Sequence, residues 1–314
     1  MAMLSQLAVR NTSYRFLLAL SCLVVTGCAG ISHRLEPATA SRVESAKVRS
    51  LVPQSDLSIK VLRSTYGGGL GVIGAIVDSG VNKGRKSDAE RRVAPLLEEV
   101  QDVDLRARLW EKLDPAIHSV EWLRVVDVQT ASAPDEVVPE DVTESAFVSL
   151  TTTYNLSPNA SVFEMHSYFM FYLQGNTKPA AFGSVSYWSR EIGKGQDGKT
   201  KEDEDAIALW SAAGGAAYRT AVDEGIRETV RMLGIALPFV GGKQVGALGE
   251  AAEVKYDVTH ARGDFGLKTS RTTYRGTVLD RGSERLVFRV ESPSFFSGSL
   301  YSVPAAEIEE RRLP

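Results

Sequence analysis

The feature that most constrains the fold is a switch of hydrophobic period between residues 147 and 233. From Phe147 to Trp188 the apolar residues tend to recur at every second position. Phe163, Met165, Phe169, Phe171 and Leu173 fall on one side of an extended segment, and Glu164, His166, Tyr168, Met170 and Tyr172 on the other. Successive side chains of a strand point to opposite faces, so this pattern predicts strands with one well-buried face. The segments 147–154, 163–173 and 181–188 are joined by short connections, one of them Ser157-Pro158-Asn159. Connections this short make antiparallel neighbours, because a parallel pair needs a longer crossover. From Asp205 to Leu233 the period becomes helical: Ile207, Trp210, Ala217, Ala221, Ile226, Thr229 and Leu233 share a stripe. Leu237-Pro238 should end that helix. A meander followed by a long amphipathic helix predicts an α+β fold, an antiparallel sheet covered by helices.

Weaker signals flank this centre. Leu57, Ile59 and Val61 alternate and predict the first strand within 49–63. Ser87 and Glu90 look like a capping box, with Val93, Leu96, Leu97 and Val100 as the stripe of the helix they open. Pro95 should kink that helix or start a new turn. Leu105, Leu109 and Leu113 predict a second short helix, ending near Pro115, and Trp122 to Val128 a strand. Residues 131–145 hold Pro134, Pro139 and several acids, and read as a solvated loop. The main α+β domain is thus expected over 49–238, with a Gly/Ala linker over 239–252. Short strands near Val254–Val258, Tyr274–Leu279, Arg285–Val290, Gly298–Val303 and Ile308 follow at intervals of about ten residues. With a hairpin turn at Asp280-Arg281-Gly282-Ser283, they predict a small SH3-like β-barrel module over 253–314. Phe288, Phe295, Phe296 and Tyr301 should fill its core; any aromatic face left over would suit a glycan strand or a peptide.

The amino terminus reads as an address. Arg10 and Arg15 precede a nearly continuous apolar run, Phe16 to Val25. A bilayer span needs about 20 apolar residues, so this run suits a signal-peptide core instead. It ends in Val25-Thr26-Gly27-Cys28, which resembles the lipobox of bacterial lipoproteins. The resemblance implies cleavage after residue 27, diacylglyceryl attachment to the Cys28 sulfur and usually a third acyl chain on its amine. Two or three chains anchor a protein stably, whereas one is marginal. In a Gram-negative envelope, Ala29 after the cysteine resembles the pattern sorted to the outer membrane, which implies the periplasmic side. Residues 1–27 are then a lipoprotein signal peptide and 28–48, small and polar, a flexible tether. Cys22 leaves with the signal, so no free thiol remains for catalysis or a disulfide.

Composition narrows the chemistry. The chain has 314 residues, 43% hydrophobic and 24% charged, with a formal net charge of -3. That is an ordinary folded composition, without the basic field that draws nucleic acid. Gly193 to Thr200 fits G-x-x-x-x-G-K-[ST] between a strand and a helix. Against a phosphate site stand Glu202 to Asp205, which add like charge, and a preceding strand too polar to be buried on both faces. A polar loop is the expectation, and no cofactor is assigned. His33, His118, His166 and His260 have no partner at metal-ligand spacing, and no metal is assigned. His166 reads as a satisfied surface residue, and no serine stands out beside a base, so no catalytic residue is named. The Gly-rich run Gly67 to Gly84 contains two GxxxG spacings. It suits either a glycine-faced helix packing on another helix or lipid, or a buried helix closely approached by its neighbours.

The order of strand, helices, strand, three antiparallel strands and long helix over residues 49–234 is similar to the amino-terminal domain of TolB-like and curli-secretion (CsgG-like) envelope proteins. The Tyr154-Asn155-Leu156-Ser157-Pro158 turn fits that likeness. The chain also resembles a class of uncharacterised proteobacterial lipoproteins with a Gly-rich first helix. Such folds imply assembly and scaffolding roles. The expectation is an outer-membrane lipoprotein acting as a non-enzymatic binding or assembly factor for an envelope protein or peptidoglycan. A self-assembling lipoprotein using Gly67 to Gly84, and an enzyme on an envelope polymer, are the alternatives.

Overall fold

The computed structural model describes residues 35–54, 56–60, 86–139, 142–193, 203–241, 250–263, 266–290 and 299–312, with 203–204, 250–275 and 309–312 described by backbone only. Cys28, the Gly67–Gly84 run and most of the Gly193–Thr200 loop lie outside these residues. The architecture is mixed α/β, with a mostly antiparallel sheet and helices packed on one face.

The chain starts with a helical turn, α1 (Pro37–Ala40), and strand β1 (Ala46–Leu51). Residues 86–99 form helix α2. Helix α3 (Leu105–His118) follows, then β2 (Val125–Ala131), β3 (Ala146–Leu156), β4 (Phe163–Leu173) and β5 (Ala181–Trp188). Helix α4 (Asp203–Val240) leads to β6 (Glu250–Gly263), β7 (Gly266–Arg281), β8 (Arg285–Val290), β9 (Leu300–Pro304) and β10 (Ile308–Arg312). The strands form one ten-stranded sheet in the order β10-β6-β7-β8-β9-β5-β4-β3-β1-β2. The β3-β4-β5 meander is antiparallel throughout, as the alternation predicts. The β1 ladders with β2 and β3 are parallel, and so is the short β5–β9 ladder.

Four expectations are corrected. The first strand is Ala46–Leu51, inside the expected tether; Val43, Ala46 and Val48 are buried, and Leu35 N–H donates to the Val240 carbonyl at 3.0 Å. Of the residues expected to form that strand, Ile59 makes only an isolated bridge to Leu156. Helix α3 runs past Pro115 to His118, because Ile117 is buried in the core and holds the last turn there. Helix α4 likewise continues past Pro238, with Leu237 and Val240 buried. A proline in the last turn loses only one backbone bond, which this burial offsets. Finally, the carboxy-terminal strands are not set apart from the meander. Strand β9 pairs with β5 at Val185↔Leu300, Ser186↔Tyr301 and Tyr187↔Ser302, and the Ser184 and Ser299 hydroxyls hydrogen-bond at 2.7 Å.

The main core lies between the sheet and the helices. Ala89, Val93 and Leu96 of α2, Leu105, Leu109 and Leu113 of α3 and Ile207, Trp210, Ile226 and Leu233 of α4 all contribute. Asp104 caps α3 by accepting the Ala107 N–H at 2.9 Å. Phe163 sits under α4, its ring 5.6 Å from Tyr218 and 6.4 Å from Tyr154 and from Tyr187. A Cβ on Gly225 would lie 3.1 Å from Phe163 and Tyr187, so glycine lets the helix settle on these rings. Helix α4 is interrupted at Ala212 to Gly215, where Ala213, Gly214 and Gly215 have positive φ. A Cβ on Gly215 would come within 2.4 Å of Val100 Cγ1. Arg219 fastens the break, donating to the Gly214 and Glu99 carbonyls and to both Asp102 oxygens, at 2.6 and 2.7 Å.

Candidate functional site

Among the described residues, the helices leave the other face of the sheet with a polar band between small apolar clusters. Phe147, Met170 and Tyr172 pack with Val142 on one side of it. Trp188, Leu286, Phe288, Tyr301 and Val303 pack on the other, with the Phe288 and Tyr301 rings stacked 5.5 Å apart. These two aromatics therefore fill a core, as expected; Phe295 and Phe296 lie outside the described residues. The band is built by register. Residues Glu164, His166 and Tyr168 alternate along β4, and β5 places Ser186 directly across from His166 and Ser184 across from Tyr168.

A relay of hydrogen bonds crosses this band. Lys60 Nζ donates to Glu164 Oε2 at 2.9 Å. The same oxygen lies 3.2 Å from His166 Nε2, and His166 Nδ1 lies 2.9 Å from the Ser186 hydroxyl. Glu164 is buried, Ser186 is buried, and the Lys60 amine is half in water. Burial alone would raise the Glu164 carboxyl, but the hydrogen bond and charge of His166, with Lys60, outweigh it and hold the pKa below the ordinary value. His166 is thus a partly buried link between an acid and a serine, not the surface residue expected. Tyr168 at the next position on this face is 52% exposed.

The arrangement places a hydroxyl, an imidazole and a carboxylate in sequence, the order used to activate a serine nucleophile. No cluster of three His, Cys, Asp or Glu side chains among the described residues could hold a metal ion. His118 instead closes α3, its Nδ1 3.0 Å from the Asp114 carbonyl. Sequence reading missed the serine because its partner is twenty residues away. The hairpin between β4 and β5 carries the signal: its alignment of Phe171 with Ala181 propagates to His166 and Ser186.

A second network lies under α4 on the covered face. Arg285 of β8 donates to Ser302 Oγ at 2.9 Å, to the Ser302 carbonyl at 2.7 Å and to the Trp188 carbonyl at 2.6 Å. It also reaches Glu224 at 3.3 Å and lies 4.5 Å over the Tyr187 ring. Ser302 donates to Glu228 at 2.7 Å, and Arg231 bonds both Glu228 and Asp280. Burial pushes the Tyr187 phenol up, and it donates to Glu224 at 2.8 Å. Every group here is turned toward another element of the fold, so the network fastens helix to strands. Between α3 and α4 runs an open cleft of about 520 Å³ with Ile226 and Val230 among its lining residues. Arg108, Lys112, Arg227, Glu111 and Asp223 also line it, and Arg108 and Asp223 pair at 3.1 Å. No described helix is long and apolar enough to cross a membrane. No protein-family model and no curated protein sequence matches the chain.

Proposed function

We propose that the protein is a bacterial envelope lipoprotein, anchored through Cys28 to the outer membrane on its periplasmic side. On this reading it acts as a non-enzymatic binding or assembly factor that brings an envelope protein or the cell wall to the membrane. The observation that carries it is the ordered signal of Arg10, Arg15, the apolar run to Val25 and Val25-Thr26-Gly27-Cys28. The open sheet face, with Tyr168 exposed beside a polar band, offers a surface for such a partner. The expected SH3-like module belongs to the same reading as the part of the sheet built from β6 to β10, joined to the meander through β9 and β5. The test is metabolic labelling with a fatty acid, then crosslinking in intact cells and mass spectrometry. Label on the chain that is lost in Cys28→Ser, with one dominant partner above that control, supports the reading. No label on Cys28 overturns the anchor, and self-crosslinks alone overturn the recruiting role.

One observation favours a second reading, an enzyme acting on an envelope polymer: the Ser186–His166–Glu164 relay. There Ser186 would attack, His166 would take its proton and Glu164 would orient the ring. Burial of Ser186 beneath the band weighs against it. A serine-directed fluorophosphonate that labels the chain but not Ser186→Ala would favour the enzyme.

A further inference from the structure

The sheet has two edges, and their sequences differ in kind. Strand β10, Ile308-Glu309-Glu310-Arg311-Arg312, carries four charged residues in five. Strand β2, Val125-Val126-Asp127-Val128-Gln129-Thr130-Ala131, carries one. That one, Asp127, is matched within the fold by Arg49 at 2.9 Å. Among the described residues β2 pairs only with β1, so its outer row of N–H and C=O groups is open. Soluble proteins usually blunt such an edge with charge, proline or a bulge. One bulge interrupts the β2 ladder at its start: Val125 pairs with Ala46 and Asp127 with Lys47, so Val126 is the extra residue, and the edge is regular from Asp127 to Ala131. Val126 is 61% exposed beside it.

We propose that this edge pairs antiparallel with β2 of a second copy of the chain, about a twofold axis through Val128, so that two sheets become one. The sequence complements itself in that register. Within the regular stretch, Val128 faces Val128 and each Asp127 faces a Gln129 amide that can donate to it, while the bulge at Val126 ends the pairing there. Apolar–β-branched and hydrogen-bonding pairs directly opposite are favourable, and like charges opposite are not. Moving the axis to Asp127 would oppose two carboxylates, and moving it to Gln129 would leave each Asp127 opposite Ala131 without a donor, so the Asp127–Gln129 pairing favours the axis through Val128. Half-buried Trp110 of α3 lies beside Thr130 and Ala131 and extends the contact. A strand edge alone buries less than the roughly 1,200 Å² of a stable interface, so the dimer exchanges readily. It uses no residue of Gly67 to Gly84 and does not depend on the anchor.

The test is sedimentation equilibrium on the full-length chain carrying Cys28→Ser, over a range of concentrations. A monomer–dimer equilibrium is expected. Gln129→Glu sets a carboxylate opposite Asp127 twice and should weaken the dimer about tenfold; Gln129→Lys sets an ammonium there and should tighten it about tenfold. Gln129 is exposed, so neither change threatens the fold. Val128→Cys should form an intermolecular disulfide across the axis under oxidation, which Gln129→Glu suppresses. A monomer at all concentrations overturns the proposal, and so does a dimer indifferent to the charge at 129.

Discussion

Glu228 and Glu164 are both buried glutamates, one beneath the covering helix and one on the open face, and their partners differ in a way that separates structure from function. Glu228 is held by Arg231 and Ser302, beside the planar fork of Arg285. Arginine stays charged at any physiological pH and donates in a fixed geometry, so this network has one state. Glu164 is held by Lys60 and His166, an ammonium half in water and an imidazole that also bonds Ser186. The first arrangement fastens α4 to β5, β8 and β9; the second faces away from the helices and holds the Glu164 carboxylate below its ordinary pKa.

Removing the fork should have the largest effect. Arg285→Ala strips Glu224 and the Ser302 and Trp188 carbonyls of a buried donor. Breaking a buried ion pair by removing one partner typically costs about 3–5 kcal/mol. Urea denaturation should show that loss, with Arg285→Lys recovering only part because it lacks the fork. A loss under 1 kcal/mol would mean that the covered network contributes little. Tyr187→Phe keeps the ring under Arg285 and removes only the bond to Glu224. It should cost about 1 kcal/mol in the same assay.

The open-face relay should respond to pH instead. The folded pKa of Glu164 is depressed, so its contribution is fully present above the ordinary carboxylate pKa. It is lost as pH falls through the folded value. Glu164→Gln should cost about 1 kcal/mol at pH 7, because the amide oxygen can still accept from Lys60, and the gap to wild type should close in acid. Parallel stability curves down to pH 3 would show that Glu164 is not the group responsible.

The same contrast explains what the sequence could reveal. Strands β3 to β5 were legible because one face is apolar at nearly every second position, and even their pairing follows from short connections. Strand β1 was not, since Ala46-Lys47-Val48-Arg49-Ser50-Leu51 offers few large apolar residues and its burial comes from neighbours on both sides. The break in α4 had its signal in Gly214-Gly215, but the apolar stripe continues across it and hides it. Arg285, Ser302 and Glu228 look like surface residues along the chain and meet only because β9 docks on β5. The relay was half legible: Glu164 and His166 share a face by period, while Ser186 needs the register of the hairpin.

The smallest effect on stability should come at Tyr168, and it is the one that tells most about function. Its ring is 52% exposed on the band beside His166, so Tyr168→Ala removes little packing and should change stability by less than about 0.5 kcal/mol. Exposed aromatics contribute strongly to recognition, because a rigid amphipathic ring loses little entropy on docking. If the open face meets the partner, Tyr168→Ala should abolish the dominant crosslink in cells while Arg227→Ala, in the cleft between α3 and α4, leaves it intact. The reverse pattern would move the contact to the cleft and leave the relay as a device of stability alone. Loss in both variants, with unfolding midpoints unchanged, would mean a partner large enough to span both surfaces.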